Sequence, residues 1–277
     1  MAVYSFADAH VHTAFSTGDC QSPMAGYLQL FKQGEVPGIG FAEHYHPNYE
    51  YHPELATEPP FDHAGYCAAV EQAKAAGYPV YRGIEVSYVP DADVNAHCTK
   101  TLNHYRYDYT IGSVHFLKGT SFSLPDFHLV VPEKERRRDL LAGYYTCLDH
   151  VAGDDRFTVL GHADVFKRDV PMGHEMMEQC RDIIHDGTAL AAKTAAQSGI
   201  IVEVNTSGLK KRRAEMMPSE EFLRIFRRYG GENICFSSDA HHPHNVCAGF
   251  DAARQYALSL GFTAIRYPWQ PNTAVQL

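Results

Sequence analysis

Seven short apolar runs recur along this chain, and each closes on, or runs within a few residues into, a histidine or an acid. The runs are Val3–Ala7, Gly38–Ala42, Pro79–Ile84, Tyr109–Gly112, Phe157–Gly161, Ile200–Val204 and Ile234–Phe236. Runs of that length suit buried strands. Longer stretches patterned for helix lie between them: Met24–Gln33, His63–Ala76, Glu133–Val151, Glu175–Ser198, Ser219–Tyr229 and Ala248–Leu260. Repeated strand–helix units predict a parallel sheet. A chain of 277 residues has the length of one closed α/β barrel. No composition shift, repeat or low-complexity tract divides it, so residues 1–277 read as a single domain. In the last but one helix, Phe222, Phe226 and Tyr229 share one face and Ser219 is placed as its N-cap. Residues 45–60, rich in Pro, Tyr, His and Glu, read as a loop long enough to act as a lid.

The strand ends carry the chemistry. The first run leads into Asp8-Ala9-His10-Val11-His12, the second into Glu43-His44, the third into Glu85 and the fourth into Ser113-Val114-His115. The fifth is followed by His162, the sixth gives Glu203-Val204-Asn205, and the seventh gives Ser238-Asp239-Ala240-His241. In a parallel barrel all strand C-termini open on one face, so these groups converge. Imidazoles and carboxylates without a thiolate suit Zn²⁺, Mn²⁺ or Fe²⁺. His10 and His12, two apart on an extended segment, project to the same side and can grip one ion. A lone His-x-His is an ordinary surface strand and a lone Asp an ordinary cap; recurrence at successive strand ends decides for a metal site. His46, His52, His63, His97, His104, His128, His150, His174 and His185 do not recur in this way and read as loop or helix-surface residues. His242 and His244 adjoin the site and are open to either reading.

Other classes are excluded on simple grounds. His174-Glu175-Met176-Met177-Glu178 lacks the second histidine of a zinc-protease helix, Gly38-Ile39-Gly40 lacks the third glycine of a dinucleotide loop, and no G-x-S-x-G elbow is present. A net charge of −9 with no long basic run argues against a nucleic-acid partner. No apolar run approaches a membrane span, and no basic segment precedes an apolar one at the N-terminus, as a secretory signal would require. The seven cysteines form no C-x-x-C pair, which fits reduced thiols in a cytoplasm.

Taken together, Asp8-x-His10-x-His12, Glu43-His44, Gly83-Ile84-Glu85 and Ser238-Asp239-Ala240-His241 resemble the motifs of the polymerase-and-histidinol-phosphatase (PHP) superfamily. The segments Tyr107–His115, Gly161–Arg168 and Glu203–Leu209 are similar to those of its stand-alone histidinol-phosphate phosphatases. The resemblance implies a distorted (β/α)7 barrel, TIM-like, holding two or three divalent ions. One ion would sit on His10, His12, Glu85 and Asp239. A second would share Glu85 and take His115 and His162. A third would use His44 and His241 with Asp19, whose offset is shifted by one from the family's pattern. Lys167, Arg168 and at least one of Lys210, Lys211, Arg212 and Arg213 would hold phosphate, and the family's arginine after Gly208-Leu209 is a lysine here. Two close cations offset the repulsion between an anionic ester and its nucleophile, with Glu85 as the bridge. The proton for the leaving group is open among Asp239, His242 and water. The implied substrate is a small phosphorylated metabolite, L-histidinol phosphate, on the route to histidine. Tyr45, Tyr49, Glu50, Tyr51 and Glu54 of the lid would face its cationic tail. Another small phosphate ester, or a PHP module without catalysis, are the alternatives.

Overall fold

The computed structural model describes residues 4–16, 18–123 and 127–277, with the side chains of 128 and 129 outside that description. Seven parallel strands pair in chain order: β1 (Asp8–Val11), β2 (Ile39–Tyr45), β3 (Val80–Ser87), β4 (Tyr109–Ser113), β5 (Val159–Leu160), β6 (Ile201–Asn205) and β7 (Ile234–Ser237). One long helix follows each: α1 (Met24–Lys32), α2 (His63–Ala75), α3 (Ala92–Tyr105), α4 (Lys134–Gly153), α5 (Arg181–Ser198), α6 (Glu220–Arg228) and α7 (Phe250–Ser259). This is the (β/α)7 barrel that the family resemblance implies, with as many strands as there are apolar runs. The strands are buried on both faces, as parallel strands under a layer of helices must be.

Local chemistry sets the element ends. The Asp62 and Asp91 carboxylates accept from first-turn amides and start α2 and α3, and Gly199 in the left-handed region stops α5. Ser219 does stand at the start of α6, but its hydroxyl donates 2.6 Å to Asp164 rather than capping the helix.

β1 and β7 close the ring without a full ladder. His12 N–H donates 2.9 Å to the Ala240 carbonyl. The buried Asp8 carboxylate accepts from the backbone N–H groups of Ser238 (3.0 Å) and Cys247 (2.8 Å). Burial pushes the Asp8 carboxyl up to about 6, against the pull of those bonds. At the other end of the barrel, Ala9, Ala42, Tyr109, Ile111, Val159, Ile201 and Cys235 fill the interior. Trp269 stacks on Tyr81 at 3.9 Å and covers them. Gly40 is required here, because a Cβ would meet the Tyr109 hydroxyl at 2.3 Å. Among the described residues no helix is long and apolar enough to cross a membrane.

Several expectations shift. The first strand is Asp8–Val11, not Val3–Ala7, whose Val3 lies outside the described residues. Between Asp8 and Val11, three steps on β1 oppose two on β2. This bulge resets the alternation, so Ala9 packs into the lower barrel while His10 and His12 face its mouth. Helix α3 went unforeseen. The stretch read as one helix from Glu175 to Ser198 breaks at Cys180. Tyr229 ends α6 and is exposed, off the buried face of Phe222 and Phe226. Residues 45–60 are not one loop: β2 runs to Tyr45, and Pro47–Tyr51 and Pro53–Leu55 are helical turns.

Candidate metal centre

Glu85 stands at the centre of the barrel mouth, wholly buried on β3. Its Oε2 lies 2.6 Å from His44 Nδ1, 3.4 Å from His10 Nε2 and 3.8 Å from His12 Nε2. Its Oε1 lies 2.8 Å from His162 Nε2 and 3.3 Å from His115 Nε2, and accepts from the Ser113 hydroxyl at 2.7 Å. The two oxygens therefore face two different sets of imidazoles. Asp239 follows β7 with its backbone in the left-handed region (φ 52°), a strained setting for a non-glycine residue. Its Oδ1 is 3.2 Å from His12 Nε2. Asp19 stands at the rim, with Oδ2 3.1 Å from His44 Nε2 and 3.0 Å from His241 Nε2.

The histidines are wired to present a lone pair. His10 Nδ1 is 2.6 Å from the Glu203 carboxylate, and His241 Nδ1 is 3.0 Å from the Asp239 carbonyl. Both partners only accept, so both Nδ1 atoms carry the proton; His10 Nε2 is left without a hydrogen-bond partner, whereas His241 Nε2 meets the Asp19 carboxylate. His12 Nδ1 is 3.0 Å from the Ser16 hydroxyl, whose own proton goes to Glu43; His12 is fixed in the same tautomer. His115 Nδ1 meets the Ser87 hydroxyl at 2.7 Å. Such partners on the far nitrogen are what metal-binding histidines use.

Electrostatics agree with a cation at this point. Burial alone would raise the Glu85 carboxyl, but the His115, His10 and His44 imidazoles hold it well below the usual range. Burial and then the neighbouring His44 and His241 drive His12 far below an ordinary histidine. Buried atoms without a hydrogen-bond partner include His10 Nε2, His12 Nε2, His44 Nδ1 and Glu85 Oε2. Such orphans are costly unless something else binds them. Three sets offer ligand atoms within 4.8 Å of one another: His12, His44 and His241; His10, His12 and Glu85; His44, Glu85 and His115. Nitrogen and oxygen donors without sulfur fit a divalent ion.

A cavity of about 530 Å³ opens above this cluster and is walled by Asp19, His44, His46, His115, His162, Asp239 and His241. Of the basic residues singled out from the sequence, it brings in Arg168, Lys210 and Lys211. Lys167 turns the other way; its buried ammonium sits 2.9 Å from Asp164. Arg213 pairs with Glu215 and Arg212 is exposed, and neither lines the cavity. A larger groove of about 790 Å³ runs behind Lys167 and Arg213, and none of the three ligand sets lies in it. The lid residues also depart from expectation. The Tyr45 hydroxyl donates 2.6 Å to Glu50, which meets His97 at 2.8 Å, so both anchor the segment to α3. Tyr49 lines a narrow cleft behind His46. The acid of this segment that reaches the metal cavity is Glu58. Among histidines read as surface residues, His46 lines the cavity and His63 is buried against Tyr107, while the side chain of His128 lies outside the described residues. His242 is exposed and caps the turn at His244, away from the cavity.

Glu203 was read only as a strand-end acid and given no role. Besides His10, it accepts from the Ser237 hydroxyl at 2.7 Å and from the Asn205 amide at 3.2 Å. Its signal was the Glu203-x-Asn205 spacing on β6, which turns both inward. Glu203→Gln should weaken metal affinity roughly 10- to 100-fold, read by competition with a chromophoric chelator; unchanged affinity would remove it from the centre.

Residues 8–207 match the family model for the PHP domain. A protein of Deinococcus radiodurans named "Probable histidinol-phosphatase" is 28% identical over 243 residues, covering 86% of this chain and 87% of its own. One of the same name from Clostridium acetobutylicum is 25% identical over 247 residues, covering 86% and 88%. The fold is that of a histidinol phosphate phosphatase of Lactococcus lactis, solved with zinc, L-histidinol and phosphate. That structure is 19% identical, with a TM-score of 0.77 over 98% of this chain and 99% of that one.

Proposed function

We propose that this chain, which belongs to the PHP domain family, is a metal-dependent phosphomonoesterase that hydrolyses L-histidinol phosphate to L-histidinol and phosphate, a step of histidine biosynthesis. The observation that carries this reading is Glu85, with one oxygen turned to His10, His12 and His44 and the other to His115 and His162, beneath a cavity with a basic wall. The names of the two relatives and the ligands of the Lactococcus protein support the choice of ester.

His10, His12, Glu85 and Asp239 would hold one ion, and Glu85, His115 and His162 a second. His44, His241 and Asp19 would hold a third. Zinc, manganese or iron ions there would neutralise phosphate charge and act as Lewis acids. The chain's own groups do the rest. The Nδ1 hydrogen bonds orient the imidazoles and fix the tautomer in which Nε2 faces the centre. Arg168 is clamped by the Asp169 carboxylate at 3.2 Å and by the Ser123 carbonyl, so its guanidinium fork enters the cavity already oriented for phosphate oxygens. Lys210 and Lys211 add charge beside it. Asp239 lines the cavity beside the Glu85 cluster, and we assign it the proton transfers; His242 does not line the cavity.

Arg168→Ala should raise KM for a phosphate ester about tenfold and lower kcat as well, since the same oxygens gain charge in the transition state. Arg212→Ala should keep wild-type kinetics. Equal effects from the two would move the phosphate clamp away from Arg168. Substrate choice is tested by kcat/KM for L-histidinol phosphate against sugar, nucleotide and amino-alcohol phosphates. It should exceed every other ester. A tenfold win by another would leave a PHP phosphoesterase with a different substrate.

A further inference from the structure

The cavity has two electrically different sides. Its basic groups, Arg168, Lys210 and Lys211, come from the segments after β5 and β6. The opposite side is built from the segment after β2, three or four strands round the barrel. There the wall carries Glu58, His46 and, from just after β4, Phe116. The backbone after Glu58 and the packing of its carboxylate both bear on where it points. Pro59 and Pro60 follow it and stiffen the backbone. Its carboxylate also lies over Gly18, so closely that a Cβ there would be 2.9 Å from Glu58 Oε1. Gly18 has φ 100°, which favours glycine, and that glycine makes room for the carboxylate next to Asp19. Behind it, the His46 and Phe116 rings meet at 5.7 Å and form an aromatic wall.

The geometry points to Glu58 as the specificity residue of this enzyme: its carboxylate receives the ammonium group of the substrate's tail while His46 and Phe116 flank the tail's ring. This rests on the reading of the chain as a phosphatase for a cationic amino-alcohol phosphate. A substrate with a dianion at one end and a cation at the other is matched by a cavity with basic groups on one side and a carboxylate on the other. A phosphate ester without a cationic tail gains nothing from Glu58. The acid would therefore discriminate among esters without touching the bond that breaks.

The test uses the metal-loaded full chain and L-histidinol, which carries the tail but no phosphate. Calorimetric titration of L-histidinol into wild type should show binding, and Glu58→Gln should weaken it roughly 10- to 100-fold, while inorganic phosphate binds both equally. In parallel, kcat/KM for L-histidinol phosphate should fall by a similar factor, mainly through KM, with no change for p-nitrophenyl phosphate. If wild type binds L-histidinol and Glu58→Gln binds it as tightly, the assignment of Glu58 is overturned and the substrate reading stands. If wild type neither binds L-histidinol nor prefers its phosphate, the substrate reading fails and the assignment falls with it. Equal losses for both esters would make Glu58 a structural support of the metal centre instead.

Discussion

Glu85→Gln should cut turnover of a phosphate ester about a thousandfold or more, with the barrel still folded. The carboxylate faces both sets of imidazoles, through one oxygen each. Glutamine keeps the shape but removes the negative charge and turns one ligand oxygen into an N–H₂ donor. Loss of a single electrostatic contact in an active site costs about 10²–10³ in rate; here one substitution damages two ion sites together. The imidazoles of His115, His10 and His44 hold Glu85 ionised against burial, so the charge lost is one the site is built around. Circular dichroism and a melting curve verify the fold. A variant within tenfold of wild type, with unchanged metal content, would show that Glu85 is no bridge.

Removal of the ions should have an effect of the same order. Chelation followed by desalting is expected to bring hydrolysis to background, and adding Mn²⁺ or Zn²⁺ to restore it. The melting temperature should fall as well. Ions that bind only the folded chain stabilise it by about 4 kcal/mol at a thousandfold excess over Kd, which for a domain of this size amounts to several degrees. The cluster left behind packs imidazoles closely: the His12 ring centroid is 4.1 Å from that of His44 and 4.4 Å from that of His241. Activity that persists with metal below about a tenth of an ion per chain would refute a metal mechanism.

The barrel was legible because its strands are short apolar runs, and their C-terminal residues mark one face. The metal-ligand candidates from His10 to His241 could be named for the same reason. Less legible were features that depend on direction within a turn. Lys167 and Arg168 are neighbours, yet one turns to Asp164 and the other into the cavity. Helix α3 buries only Val94, Cys98 and Leu102, a stripe too thin to stand out among Asn95, His97, Thr99 and Lys100. Glu50 and Glu58 have the same chemistry in one segment, and only the packing of Tyr45 and His97 on Glu50 tells the anchor from the acid that reaches the cavity. Glu203 was less legible because its part is to fix a tautomer: the Glu203-x-Asn205 spacing turns it inward, but does not say which ring nitrogen it meets.

One barrel mouth is expected to hold several divalent ions, with Glu85 between two of them. Elemental analysis of the reconstituted chain, run beside Glu85→Gln, tests it most directly. The wild type should retain two or three ions per folded chain and the variant fewer. A folded wild type that retains fewer than two after reconstitution with Mn²⁺, Zn²⁺ or Fe²⁺ would rule out a centre bridged by Glu85.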